Sequence, residues 1–433
     1  MNWKTSIFLL LFSGLLIFLT FNRHKHSKNG YFNYQSEIWA DKAGYNVYLP
    51  ATFMYGFDAA AFPESIDSLT GNGFRLDQET KIMHTKYTYG VAFMQAPFFL
   101  LAYGYSNILG QPSNGYNPIY HAIVNISAVF FLVMGLFFLF KFLSFQYSWS
   151  TSFVAVAILF LGTNLYFYSI DDTGMSHVYS FFLFALYLYI LRKSNYLEKL
   201  KTSNLIIIGL ISSLMLLIRP TSAVFLLVFI FLDVRGKNEI SNRLQNLFKA
   251  KPIFIFILSF MIIWLPQFLY WKYSTGNYFS YTYTNEGFSF LNPKLHYTWF
   301  SPLNGLFLYT PLYLLVIFGI VKMIQKRIAN GWVLLVLFLV ISFVFSSWWD
   351  WSFGCSFGAR SFVEYLAIFV LPIAYILSQH SDFTLIQKIF LIAVVVALIA
   401  FNLKLTYTYD SCFFGKGVWD WSEYRSLITS PTK

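Results

Sequence analysis

The sequence predicts an all-α, polytopic membrane helical bundle, and three observations carry that prediction. Of 433 residues, 57% are hydrophobic and 22% aromatic. Only 11% are charged, against about 25% in a typical soluble domain. Apolar runs of about 18 residues, the length that crosses a bilayer as a helix, recur along most of the chain.

The runs are read as about eleven spans, at 4–21, 118–140, 151–168, 177–191, 203–218, 220–233, 252–270, 303–323, 331–347, 362–379 and 385–401. The first, after Lys4, has no small-residue cleavage pattern behind it and continues into Asn22-Arg23-His24-Lys25. It reads as an uncleaved helix rather than a signal peptide. The fifth and sixth runs are separated only by Arg219-Pro220. Proline there implies a broken helix or a tight turn.

The formal charge of +11 does not point to nucleic acid, because much of it lies in short loops, where Lys and Arg orient membrane helices and meet anionic headgroups. The clusters Arg192/Lys193/Lys199/Lys201, Arg235/Lys237/Arg243/Lys249/Lys251 and Lys322/Lys326/Arg327 all fall on one side if that side is the cytoplasm. The N-terminus is then cytoplasmic in an inner (plasma) membrane. The transmembrane domain covers 1–401, with a long first extracytoplasmic loop at 22–117 and an extracytoplasmic tail at 402–433. Residues 91–109 are apolar enough to span, but a span there would turn every later basic cluster outward. They are expected to form a re-entrant or interface-lying hairpin. Cys355 and Cys412 are too few for a disulfide framework or a cysteine metal site. Both fall outside, where a disulfide would tie the tail to the last outer loop; two separate thiols are the alternative.

Candidate chemistry collects in the outer loops. Glu37 and Asp41 are four apart, on one face if the segment is helical. Such a pair can act as base and helper or hold a divalent ion, or it is a solvated surface face with Lys42 as partner. Trp39 and Tyr45 flank it, as rings that stack on sugars do. Lys86 begins the next apolar stretch and either contacts a phosphate or snorkels to headgroups. Asp171, Asp172 and His177 stand at the outer end of two spans and offer ligands for Mg²⁺ or Mn²⁺, or for donor or acceptor; adjacent acids also simply cap helices. Arg219, between two apolar runs, suits a phosphate or a salt bridge. Arg360 follows a glycine-containing turn and Trp351, with Glu364 one turn further as a partner.

Taken in order, these motifs resemble bacterial membrane glycosyltransferases of the GT-C superfamily, the class of the protein O-mannosyltransferases and the enzyme that adds aminoarabinose to lipid A. The resemblance runs to about residue 380. Asp41, with Glu37 beside it, matches the acid that this class carries soon after the first span, although Lys42 replaces the second acid of the usual adjacent pair. The base is therefore open between Asp41 and Glu37. Lys86-Tyr87-Thr88-Tyr89-Gly90 with Ala96-Pro97 is similar to a Lys/His-x-Pro-Pro/Gly segment, without its prolines. Asp171, Asp172 and His177 fall where related enzymes place outer-loop acids near the donor phosphate. Arg219-Pro220-Thr221 and Phe357-Gly358-Ala359-Arg360 resemble recurring outer-surface motifs.

The resemblance implies a sugar carried on polyprenyl phosphate or pyrophosphate, and inverting transfer to an extracytoplasmic lipid, glycan or protein acceptor. Asp41 would deprotonate the acceptor, and Lys86, Arg219 or Arg360 would stabilise the leaving phosphate. A divalent cation (Mg²⁺ or Mn²⁺) is optional in the class. The competing readings are a transporter or flippase of lipid-linked glycans, a ligase, and a non-catalytic envelope assembly protein. A transporter would carry polar residues through its spans; here Asn125, Asn164 and Gln267 are scattered.

Overall fold

The computed structural model describes residues 3–23, 32–110, 113–194, 201–284, 286–409 and 417–432. Apolar side chains can cover a helix on all sides here because a helix satisfies its own backbone donors and acceptors, as a bilayer demands. The order is α1 (Trp3–Arg23), α2 (Asp41–Asn46), α3 (Gly90–Ile108), α4 (Pro118–Leu143), α5 (Trp149–Leu161), α6 (Leu165–Ile170), α7 (His177–Lys193), α8 (Thr202–Ile218), α9 (Lys237–Leu247), α10 (Ala250–Thr275), α11 (Leu312–Gln325), α12 (Gly331–Ser346), α13 (Leu366–Ser378), α14 (Leu385–Thr408) and α15 (Trp421–Thr429). Among the described residues, four segments are both long and apolar enough to cross a membrane: Thr5–Asn22, Pro118–Leu143, Ala250–Thr275 and Leu385–Thr408. The chain is thus a largely helical membrane protein.

Several runs that the sequence presents as single spans are built in pieces. The run 151–168 breaks at Gly162–Asn164 into α5 and α6. Pro220 opens a single 3-10 turn, Pro220–Ser222, followed by the short helices Ala223–Leu226 and Val228–Phe231. The missing proline donor and the restricted residue before it explain that break. Arg243 of α9 then donates to the carbonyls of Ile230 and Leu232, which the broken helix leaves unpaired.

Close helix crossings use small residues. A Cβ on Gly135 of α4 would stand 3.0 Å from the ring of Phe181 of α7, and one on Gly319 of α11 would stand 2.7 Å from Pro372 of α13. Small residues let backbones approach in a membrane, where packing rather than the hydrophobic effect holds helices together.

The first outer loop is more ordered than the sequence suggests. It holds an antiparallel hairpin, β1 (Arg75–Asp77) with β2 (Ile82–His84), in the register Arg75↔His84, Leu76↔Met83 and Asp77↔Ile82. Residues 90–108 form one unbroken helix rather than a hairpin. Its first residue, Gly90, lies against Ile218 at the end of α8. Its Phe99 packs against Tyr120 in the first turn of α4, with ring centroids 4.9 Å apart. Gln95 bonds Asn46 of α2 and Tyr179 in the first turn of α7, each at 2.9 Å. The helix therefore starts at that end of the bundle and runs on against α4, where its Phe98 lies 5.5 Å from Phe130 and 5.9 Å from Phe131 in the middle of that helix. Asp41, Arg219 and Arg360 meet at the same end.

A charged aromatic cavity as the candidate functional site

The site begins with a strained turn. Ala40 has φ +48° and ψ −122°, a conformation that costs a non-glycine residue about 1–3 kcal/mol and persists only where the surroundings impose it. The surroundings here are Thr70–Gly73. The Ala40 N–H donates to the Thr70 carbonyl at 2.8 Å. Gly73 lies so close that a Cβ there would fall 2.3 Å from the Ala40 carbonyl oxygen. Chain continuing from this turn starts α2 at Asp41 and aims its carboxylate into a cavity of about 640 Å³.

Arg360 reaches the same point from the far end of the sequence. Gly358, at φ +67°, has no room for a side chain, because a Cβ would lie 2.6 Å from that of Tyr309. Phe357 stacks on Phe167 at 4.5 Å, and its N–H donates to the Tyr168 hydroxyl at 2.9 Å. The turn so fixed puts Arg360 Nη2 3.3 Å from Asp41 Oδ2. Burial pushes the Asp41 carboxyl up, but Arg360, a hydrogen bond from the Tyr87 hydroxyl and Lys86 outweigh it and hold the group below its ordinary value. Burial and the neighbouring Asp41 keep Tyr87 protonated, with its pKa well above the usual tyrosine value. The Asp41 side chain is still 37% exposed, so an incoming hydroxyl can reach it.

Lys42, Lys86, Arg219 and Arg360 all line this cavity, and each has an acidic partner. Lys42 Nζ meets Asp172 Oδ1 at 2.8 Å, and Lys86 Nζ meets Glu286 Oε1 at 2.7 Å. The arginine pairs are longer: 3.3 Å for Arg360 with Asp41 and 3.2 Å for Arg219 Nη1 with Glu364 Oε1. Trp39, Tyr45, Tyr283, Trp348, Trp349 and Phe353 supply aromatic wall. Tyr45 packs on Tyr87 with centroids 4.2 Å apart.

Other residues singled out from the sequence lie elsewhere. Glu37 does not share a helical face with Asp41, because α2 starts only at Asp41. It is 2% exposed and turned into the bundle, with Oε2 3.0 Å from His121 Nδ1 and Oε1 accepting from Asn125 at 2.8 Å. His177 is buried behind the cavity, with Nδ1 3.0 Å from Glu364 Oε2 and 2.9 Å from Arg219 Nη1. A neutral ring uses that nitrogen for one of the two, as its tautomer dictates. Glu364 therefore serves His177 and Arg219, not Arg360. Trp351 packs on Tyr297 at 5.6 Å, away from the cavity wall that Trp348 and Trp349 form. Asp171 and Asp172 line the cavity, and His177 does not. Among the described residues no group of three or more His, Cys, Asp or Glu side chains could hold a metal ion. Cys355 lines the cavity and is disulfide-bonded; Cys412 lies outside the described residues.

Sequence reasoning missed several parts of the site. Tyr87 stood inside a quoted motif as a neighbour of Lys86, and its hydroxyl gave no signal of its own. The Thr70–Gly73 clamp was legible only as glycines in a loop. Glu286 sits in a tyrosine-rich loop 200 residues from Lys86, a distance no local pattern bridges.

No protein-family model matches the sequence, and no curated protein matches it. Among solved structures, the archaeal oligosaccharyltransferase AglB from Archaeoglobus fulgidus, in complex with an inhibitory peptide and a dolichol-phosphate, is similar over 100% of this chain at 10% identity, with a TM-score of 0.49. The chain spans 57% of that protein's length.

Proposed function

We propose that this protein is an inverting membrane glycosyltransferase that uses a sugar linked to polyprenyl phosphate or pyrophosphate. One observation carries the reading: an ionised Asp41 faces a cavity walled by aromatic rings and by Lys42, Lys86, Arg219 and Arg360. An amphiphilic donor needs both kinds of wall, rings for the sugar and apolar tail and cations for the phosphate. The sequence resemblance to GT-C enzymes, resting on the Asp41, Lys86, Arg219 and Arg360 motifs, supports the same reading.

In the proposed step the acceptor oxygen forms a bond to the anomeric carbon while the bond from that carbon to the phosphate oxygen breaks. Attack from the face opposite the phosphate inverts the anomeric configuration. Asp41 takes the acceptor's hydroxyl proton, and the leaving phosphate keeps the bond's electron pair. Arg219 and Arg360 stabilise its charge. The acceptor is an extracytoplasmic lipid, glycan or protein. We place the cavity on the outer face of the inner (plasma) membrane, with the N-terminus cytoplasmic and eleven spans in a GT-C-like bundle. The positive-inside pattern supports that orientation.

The test is transfer from a panel of polyprenyl-linked sugars by purified protein in nanodiscs. Consumption of a donor by the wild type, lost in Asp41→Asn, is the expected result. A broad panel left untouched, together with normal envelope glycans in cells carrying Asp41→Asn, would sink the proposal.

A further inference from the structure

Two side chains claim one ring nitrogen behind the cavity. His177 Nδ1 stands 2.9 Å from Arg219 Nη1 and 3.0 Å from Glu364 Oε2. The His177 and Glu364 side chains are each 1% exposed, whereas Arg219 lines the cavity. A nitrogen of a neutral imidazole carries either a proton or a lone pair, so Nδ1 cannot bond both neighbours at once. With the proton on Nε2, Nδ1 accepts from Arg219 and has nothing to donate to Glu364. With the proton on Nδ1, the ring donates to Glu364, and its N–H opposes that of Arg219.

Glu364 sharpens the conflict. Its Oε1 lies 3.2 Å from the same Arg219 Nη1, yet it accepts no hydrogen bond among the described residues. Charge holds Arg219 to the carboxylate, and the one hydrogen bond on offer to Nη1 is at the ring.

We infer that His177 is a positioning residue whose ring proton moves between Nε2 and Nδ1 as Arg219 releases and takes a phosphate. The inference rests on the transferase reading above, in which Arg219 meets the donor's phosphate. Without an anion, the Nε2–H form keeps Nη1 on the ring, since the bond made at one nitrogen sets the tautomer at the other. A phosphate at the Nη1–Nη2 end of the fork offers Nη1 a charged acceptor in place of the ring. The Nδ1–H form then donates to Glu364 Oε2. The buried carboxylate so keeps a hydrogen-bonded partner while Arg219 serves the anion, and an unpaired buried carboxylate would be strongly unfavourable. One proton leaves Nε2 and one joins Nδ1, so the ring stays neutral. The anion shifts the ring by as much as it prefers the Nδ1–H form.

The test is ¹⁵N NMR of the full chain, labelled at histidine, in nanodiscs with and without inorganic pyrophosphate. The His177 signals are those absent from His177→Asn, and ³¹P line broadening reports binding. We expect Nδ1 to be unprotonated without pyrophosphate and protonated with it. Kinetics supply a second readout. His177→Phe keeps a ring but neither nitrogen, and should raise the donor KM about tenfold, the equivalent of one hydrogen bond to a charged group. The acceptor KM should not change. His177→Asn can turn either its oxygen or its NH₂ to the same spot, and should bring the donor KM back to within about threefold of wild type.

A ring that keeps one tautomer while pyrophosphate binds overturns the relay and leaves the transferase reading standing, as does a wild-type donor KM in His177→Phe. A tautomer change on pyrophosphate, with no polyprenyl-linked donor consumed, keeps the relay and removes the transferase. Absence of ³¹P broadening overturns the relay, and donor consumption alone then decides the transferase.

Discussion

Glu37 and Asp41 are four residues apart in the same outer loop, yet they occupy opposite environments. Glu37 is 2% exposed and held by His121 and Asn125. The Asp41 side chain is 37% exposed and faces Arg360 across a cavity. The difference comes from the strained turn at Ala40, which ends one environment and starts the other. A carboxylate whose oxygens are both spent on buried partners is a structural clamp. One that keeps a face to an open space can do chemistry.

The largest expected effect follows directly. Asp41→Asn should lower turnover by about 10²–10⁴-fold, the usual range for a general base, with a melting temperature close to wild type. Glu37→Gln should do the reverse. It disturbs a buried hydrogen-bonded pair and should cost about 1–3 kcal/mol of stability, while the folded fraction keeps normal turnover. Thermal unfolding and kcat measured on the same preparations decide it. A stable Glu37→Gln protein without activity, beside an active Asp41→Asn, would reverse the comparison.

The turn itself offers the next largest effect. Gly73→Ala would put a Cβ 2.3 Å from the Ala40 carbonyl and 2.7 Å from the Ala43 side chain. The clamp must open, and Asp41 moves with it. Misplacement by about 1 Å can cost on the order of 100-fold in rate, so kcat should fall by about 10- to 100-fold. Gly14→Ala, in α1 with nothing within 4 Å, should leave both rate and melting temperature alone.

Much of this arrangement was legible in the sequence, and the limit was distance along the chain. Helix composition gave the bundle, since apolar runs of this length report helices that can cross a membrane. Lys86, Arg219 and Arg360 were each visible as charged residues at the edge of an apolar run, and Asp41 by its place beside Glu37 in the first outer loop; the fold brings all four to one cavity. Pairings were less visible. The expectation that Glu364 serves Arg360 rested on helical spacing, but Arg360–Phe362 is a 3-10 turn, and Glu364 is directed to His177 and Arg219 instead. The shared face of Glu37 and Asp41 failed for the same reason: a four-residue spacing means a common face only inside a helix, and residues 37–40 are not helical. The outer-loop hairpin was missed because each strand is only three residues long, too short for an alternating pattern to register.

A smaller effect separates the two arginines. Arg219→Lys keeps a charge near the buried Glu364 but loses the planar fork suited to phosphate. The donor KM should rise about tenfold, with the acceptor KM unchanged. Initial rates with each substrate varied in turn will show it. Equal rises in both constants would instead mean that Arg219 shapes the whole cavity.

The smallest effect is a shift in pH dependence, and it sharpens the opening comparison most finely. Burial raises the Asp41 carboxyl, and the larger sum of Arg360, Tyr87 and Lys86 takes it below its ordinary 3.8. For a carboxylate with a depressed folded-state pKa, the stabilising contribution is fully present above the unfolded value and is lost as pH falls through the folded value. Asp41 should thus stay ionised, and the rate should stay level, from neutral pH down to about the ordinary aspartate value. Replacing Arg360 by Gln removes the first of the opposing causes and leaves the burial. The carboxyl should then rise, and the acid limb of kcat/KM should move to higher pH. Glu37→Gln should leave the limb where the wild type has it, because Glu37 faces away from the reacting groups. A limb that moves with Glu37→Gln and stays put with Arg360→Gln would assign the titrating base to the buried acid rather than the exposed one.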